Sequence, residues 1–303
     1  MPAFDILTLR SVDLDVPDLA AAAEFYTKIW GLHQVSIDEN IVVLRATGAD
    51  HHVLVLHQAP MPAFRSMTFR VADASVLALI AARTISAGGH VLEPAGPKIW
   101  PGGGTGLVIA DPSGCVMRFI HGDATRTPDP EILHLPNRLS HVNINSTDVD
   151  ASTHFFESAL GFKLSDRSKL MAFVRTNADH HAVVIAEAPI NGLNHVAFML
   201  PGLEGVMLGS GRMIDHGYPI GWGVGRHGPG NNVFAYFLDP AGIVIEYTAD
   251  ILQVDDTYQV RGPADWVWPP GRTDHWGIAP PKSTAVKKAQ LSIPFVSPSR
   301  APR

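Results

Sequence analysis

Short apolar runs alternate with amphipathic stretches along this chain, and the whole succession occurs twice. Apolar spacing predicts a strand at Val12 to Val16 and again at Val142 to Asn145. Each leads into a stretch of helical spacing, Asp18 to Trp30 and Asp148 to Leu160. The Asp suits a helix N-cap, and the Gly that follows each (Gly31, Gly161) suits a C-cap. A hairpin comes next (Gln34 to Ile37 with Ile41 to Ala46; Phe162 to Ser165 with Met171 to Thr176). One more strand follows (Val53 to His57; Ala182 to Ala186). The pattern then restarts with a strand (Met67 to Val71; His195 to Leu200) and a helix (Ala74 to Ala87; Leu203 to His216). Two late strands joined by an Asp-Pro-Ser/Ala-Gly turn close it.

The duplication is visible at residue level. SVDLDVPDLAAAAEFYTKIWGL from Ser11 parallels HVNINSTDVDASTHFFESALGF from His141, and Gly31 aligns with Gly161 at an offset of 130. The ADHH segments at Ala49 and Ala178 align at an offset of 129, and the IADPSG and FLDPAG segments at 128. So small a drift means one duplicated module of about 130 residues. The fold expected is α+β: tandem βαβββ units in two modules, each curling into a barrel-like cavity. The boundaries expected are 1–127 for the first module, 136–253 for the second, and 254–303 for a Trp- and Pro-rich tail over the second module. Beyond about Pro281 the tail reads as an extended arm or frayed end.

Bulk composition narrows the class. No apolar run approaches the roughly 20 residues that span a bilayer, and the start, MPAFDILTLR, has no signal-peptide pattern. A net charge of −6 argues against nucleic acid as a partner. The single cysteine, Cys115, excludes an intrachain disulfide and fits a reducing cytoplasm.

The candidate chemistry lies in the second module. The apolar run Ile243-Val244-Ile245 ends in Glu246, and a carboxylate among apolar residues needs a cation. His141 and His195 lie at the starts of two similar apolar runs. In the first module the aligned residues are Ser11, Ser66 and Arg118, so all three are replaced together while the framework is kept. Two His and one carboxylate point to a divalent metal, Fe(II) first and Mn(II) second.

These residues resemble the vicinal oxygen chelate superfamily, and within it the two-module type I extradiol ring-cleavage dioxygenases, typified by those that cleave catechol or homoprotocatechuate at the 2,3 bond. The resemblance is most specific at GRHGPGNNVFAYFLDPAGIVIEY, where His227, Tyr236 and Glu246 fall at the family's spacing, and at His141-Val142-Asn143. It implies His141, His195 and Glu246 as metal ligands, His181, His227 and Tyr236 as catalytic residues, and Asn143 beside the O2 site. Phe173, Trp222 and Arg272 are expected in the substrate pocket. His180 and His181 lie fifteen and fourteen residues before His195; the apolar run after the pair favours His181. The resemblance implies meta cleavage of an aromatic diol by O2, giving a ring-opened semialdehyde, in a homo-oligomer.

There are departures. Trp222 stands where the homoprotocatechuate branch has a second arginine, leaving only Arg272 for a substrate carboxylate, and Ala182 replaces an Asp after the distal His. The alternatives are a glyoxalase-like isomerase, lyase or thiol transferase, and a protein that binds an aromatic without reaction.

Overall fold

The computed structural model describes residues 5–297; the expectations for residues 1–4 and 298–303 lie outside the described residues. The first module runs β1 (Ile6–Val16), α1 (Leu19–Glu24), β2 (His33–Ile37), β3 (Ile41–Arg45) and β4 (Leu54–Gln58). It then repeats as β5 (Ala63–Val71), α2 (Ser75–Ser86), β6 (His90–Pro97), β7 (Thr105–Ala110) and β8 (Val116–His121). The second runs β9 (Arg138–Ser146), α3 (Val149–Ser158), β10 (Lys163–Arg167), β11 (Met171–Arg175) and β12 (Val183–Glu187). Its second half is β13 (Gly192–Met199), α4 (Leu203–Asp215), β14 (Trp222–Arg226), β15 (Val233–Leu238) and β16 (Val244–Ala249). The two sheets have the same order, β2-β3-β4-β1-β5-β8-β7-β6 and β10-β11-β12-β9-β13-β16-β15-β14. The fold is therefore the expected duplicated α+β arrangement of βαβββ units.

The helix signals operate as read. The Asp18 and Asp148 side chains accept from Ala21 N and Ala151 N, each at 2.9 Å. Gly31 and Gly161 adopt the left-handed conformation after their helices. α1 passes into a π-helical turn, Phe25–Trp30, which drives Trp30 into the joint between the modules. There Trp30 stacks on Tyr247 at 3.7 Å, Tyr247 Oη donates to the Trp30 carbonyl (2.6 Å), and Tyr26 Oη donates to Asp239 Oδ2 (3.0 Å). One apolar core runs through both modules.

Three readings are corrected. The late half of each module has three strands, because β6 and β14 precede the pair expected. Residues 222–226 thus form a strand of their own. Glu246 is the third residue of β16, not a strand end, and His141 and His195 also lie within their strands. The segment after Pro281 is no frayed arm. It forms α5 (Thr284–Ala289), capped by the Ser283 side chain, and the two-residue strand β17 (Ile293–Pro294), paired with β13. Val286 and Ala289 of α5 pack on Phe234, Tyr236 and Val244, which holds the segment against the second module.

Candidate metal centre and its cavity

Two neighbouring ladders of the second sheet build the site. In one, His141 (β9) pairs with Ala197 (β13), Ala197 with Glu246 (β16), Glu246 with Tyr236 (β15), and Tyr236 with Trp222 (β14). In the other, His195 (β13) pairs with Asn143 (β9), Asn143 with Val184 (β12), and Val184 with Phe173 (β11). Side chains two apart on a strand share a face. His141 with Asn143, and His195 with Ala197, therefore point to the same concave side.

Three ligand atoms converge there. His195 Nε2 is 3.0 Å and His141 Nε2 3.3 Å from Glu246 Oε2, and the two Nε2 atoms are 3.2 Å apart. Glu246 is fully buried, yet neither of its oxygens makes a hydrogen bond. The contacts with the imidazoles are close but misdirected for hydrogen bonding, as expected of donors aimed at a common point. A buried carboxylate without hydrogen bonds needs a cation, so the donor set fits a divalent metal. The electrostatics agree. Burial pushes the His195 imidazole down to about 4 against the pull of Glu246, leaving a neutral nitrogen suited to ligation. Burial works to raise the Glu246 carboxyl, but His141 and His195 outweigh it and hold the group well below the carboxylate range.

The surrounding hydrogen bonds orient these ligands. His195 Nδ1 lies 2.9 Å from Asn194 Oδ1, which can only accept, so Nδ1 carries the proton and Nε2 the lone pair. Asn194 Nδ2 donates to Asn145 Oδ1 (2.8 Å), and Gln290 Nε2 donates to Asn194 Oδ1 (2.5 Å). Asn145 Nδ2 in turn donates to the Gln290 carbonyl (2.5 Å). Gln290, at the end of α5, therefore supports a ligand on a distant strand.

His181 lies beside the ligands, its ring 4.5 Å from that of His141. Burial, then the neighbouring imidazoles, lower its pKa well below the usual value, so it is neutral. Behind it His180 Nε2 donates to Asp166 Oδ2 at 2.8 Å, and the two Nδ1 atoms of the His pair are 3.0 Å apart. Because His180 gives its Nε2 proton to Asp166, its Nδ1 accepts from His181 Nδ1, which leaves the lone pair on His181 Nε2. Gly230 makes this packing possible: a Cβ there would stand 2.7 Å from His181 Cε1. His227 Nε2 lies 3.1 Å from Tyr236 Oη, which is 3.5 Å from His195 Nε2. Burial, then Glu246, raises the Tyr236 phenol well above its ordinary value, keeping it a donor.

These groups open onto a cavity of about 200 Å³ whose lining includes Asn143, Phe173, Trp222 and Trp268. Arg272 is not among the lining residues. It is exposed, with its guanidinium against Gly277, and the turn directs Thr273 and Asp274 inward instead. The tail contributes two residues that sequence reasoning missed, Lys282 and Gln290. Neither has a counterpart in the repeat. Asp166 was also missed, although Ser36 stands opposite it in the first module, a contrast of the kind that marked the ligands.

The equivalent position in the first module is filled by an ion-pair network. Arg118, the counterpart of Glu246, donates to Asp13 Oδ2 (2.8 Å), which His57 Nε2 also approaches (2.9 Å). Ser11 and Ser66, the counterparts of His141 and His195, are buried hydroxyls without a hydrogen bond.

Comparison with known proteins agrees with this geometry. Residues 138–247 match the Glyoxalase/Bleomycin resistance protein/Dioxygenase superfamily profile. A solved structure, that of the Mn(II)-bound glyoxalase from Novosphingobium aromaticivorans, is 32% identical, with a TM-score of 0.87 over 93% of this chain and 94% of that one. Homoprotocatechuate 2,3-dioxygenase from Brevibacterium fuscum, solved as its anaerobic 3,4-dihydroxyphenylacetate complex, is 26% identical, with a TM-score of 0.82 over 95% and 93%. Metapyrocatechase 2 of Cupriavidus necator is 39% identical over 140 residues, 45% of this chain but only 41% of that protein. The chain belongs to the glyoxalase/dioxygenase (vicinal oxygen chelate) superfamily. It is a metal-dependent family, and its members' names carry iron in some cases and manganese in others.

Proposed function

We propose that this protein is a non-haem Fe(II)-dependent extradiol dioxygenase that cleaves a catechol-type ring beside its two hydroxyls. One observation carries the reading. A buried carboxylate without a hydrogen bond lies against the Nε2 atoms of His141 and His195, two imidazoles that line an aromatic cavity, with a neutral histidine poised beside them. His141, His195 and Glu246 would hold Fe(II), or Mn(II) as second choice. The metal supplies a Lewis-acidic, redox-capable centre that brings a vicinal diol and O2 together.

The chain's own residues do the rest. The walls of Phe173, Trp222 and Trp268 hold the ring and exclude water. His181 takes a proton from a diol hydroxyl at Nε2 and later returns it, with Asp166 and His180 fixing its tautomer. Tyr236 and His227 donate hydrogen bonds to the substrate oxygens as charge develops on them. Asn143, whose Oδ1 is buried without a partner, stands ready beside the ligands to orient a polar reactant. The product is a ring-opened semialdehyde.

The test is anaerobic reconstitution with Fe(II), followed by O2 uptake and visible spectra with a panel of catechols. The expected result is a yellow product formed with one O2 per diol and lost in His195→Ala. A tightly bound metal with no O2 uptake on any diol would favour the second reading, a glyoxalase-like isomerase or lyase. The likeness to the Mn(II)-bound Novosphingobium glyoxalase lends that reading weight.

A further inference from the structure

The cavity contains a cation that none of the steps above uses. Lys282 immediately precedes Ser283, the N-cap of α5, and Ser283 N donates to the Gly221 carbonyl at 2.8 Å. With Val286 and Ala289 packed on Phe234 and Tyr236, the backbone at Lys282 is firmly held. The side chain is half-buried and reaches the cavity, with Nζ 4.5 Å from the Trp222 ring centroid and 5.8 Å from that of Tyr236. Nζ donates to one neutral acceptor, Gln290 Oε1 (2.8 Å), and makes no ion pair among the described residues. The carboxylate that lines the same cavity, Asp274, is already engaged by the backbone N–H groups of Arg226, Trp276 and Ala279.

An ammonium has three donors, and this one has a single hydrogen-bonded partner and an aromatic face. Burial lowers its pKa to about 8, so it is largely charged at neutral pH. A neutral ligand that filled the cavity would remove its remaining water and leave a desolvated charge, which is costly. A ligand with an anionic group would supply the missing partner. Size limits the rest of the ligand. Apolar cavities of roughly 150 Å³ accept benzene, so about 200 Å³ suits one ring with a short substituent.

We propose that Lys282 is the receptor for an anionic substituent on the ring, and that the substrate is a small monocyclic diol bearing a carboxylate. This rests on the dioxygenase reading only in calling the ligand a diol. It gives the acid a receptor just before the tail helix, away from Arg272.

Two measurements test it. In the first, kcat/KM is measured on the Fe(II) enzyme for 3,4-dihydroxyphenylacetate, its methyl ester, unsubstituted catechol and a biaryl diol. The acid-to-ester ratio is compared between the native protein and Lys282→Met. Loss of metal affects both substrates alike and cancels in that ratio. The ratio is expected to favour the acid and to fall about 10- to 100-fold in the variant, the range for losing one charge-assisted hydrogen bond. Lys282→Arg should retain most of it, and Lys282→Glu should invert it. In the second, Trp222 and Trp268 fluorescence reports anaerobic binding of 3-hydroxyphenylacetate and its methyl ester without turnover.

Acid selectivity that disappears in Lys282→Met and persists in Lys282→Arg supports the proposal, even if no diol consumes O2. That last outcome would overturn the dioxygenase reading alone. Turnover of catechol with no preference for acid over ester, or a preference that survives both Lys282→Met and Lys282→Glu, overturns the proposal and leaves the dioxygenase reading intact. If Lys282→Met does not fold, Lys282→Glu and Lys282→Arg carry the same comparison.

Discussion

His180 Nε2 lies 2.8 Å from Asp166 Oδ2, with both side chains fully buried. Asp166 also accepts from Tyr258 Oη (3.1 Å) and from Arg261 N (2.9 Å), so the carboxylate is held from three sides. An anchored acceptor fixes the proton on His180 Nε2, and through His180 Nδ1 it fixes the tautomer of His181.

Asp166→Asn should therefore impair catalysis without removing the metal. An amide can present its NH2 to His180 and stabilise the opposite tautomer. The expected result is a fall in kcat of about 10²-fold, the low end of the range for general acid–base catalysis, with metal content unchanged by elemental analysis. An unchanged kcat would mean that His181 is set by something else.

The support of His195 should appear in metal affinity. Gln290→Leu removes the donor to Asn194 Oδ1. Loss of an outer hydrogen-bond partner typically costs about 10- to 100-fold in affinity. A competition titration with a chelator would measure this, and the native value in the variant would refute the role. A related expectation concerns stability. Metal at a hundredfold excess over its Kd should stabilise the native protein by about 2.7 kcal/mol, read as a rise in Tm that Glu246→Gln lacks.

In the first module, Arg118→Met should destabilise the fold by about 3 kcal/mol or more, because it leaves Asp13 buried with His57 as its main partner. The double variant Arg118→Met with Asp13→Asn should recover part of the loss. Denaturant unfolding of the two variants would check this, and equal losses would show that the pair is not coupled.

Asp239 has a defined pH signature. Burial raises its carboxyl to about 6, against hydrogen bonds from Ile243 N, Tyr26 Oη and Ala241 N. The folded state therefore holds a proton that the unfolded chain releases near pH 4. Through this group, stability is greatest below the unfolded pKa and falls as pH rises toward 6. The native protein should gain on Asp239→Asn by roughly 2 kcal/mol between pH 7 and pH 4. A difference independent of pH would contradict the buried carboxyl.

Local order and the duplication made part of this molecule legible from the sequence alone. A period of two along a strand and capping residues at helix ends are short-range, so β9, β13 and the starts of α1 and α3 were readable. The simultaneous exchange of His141, His195 and Glu246 for Ser11, Ser66 and Arg118 marked a metal set. The structure brings those three side chains onto two adjacent ladders. The remainder depended on tertiary contacts. Asp166 meets His180 across fourteen residues, Gln290 meets Asn194 across ninety-six, and Lys282 reaches Trp222 from the tail after the repeat ends. Arg272 shows the converse, since its expected place in the substrate pocket said nothing of which way the turn would point it. The reason is physical: a hydrogen bond or a desolvated charge is set by which surfaces meet, and those contacts form between elements whose own spacing does not encode them.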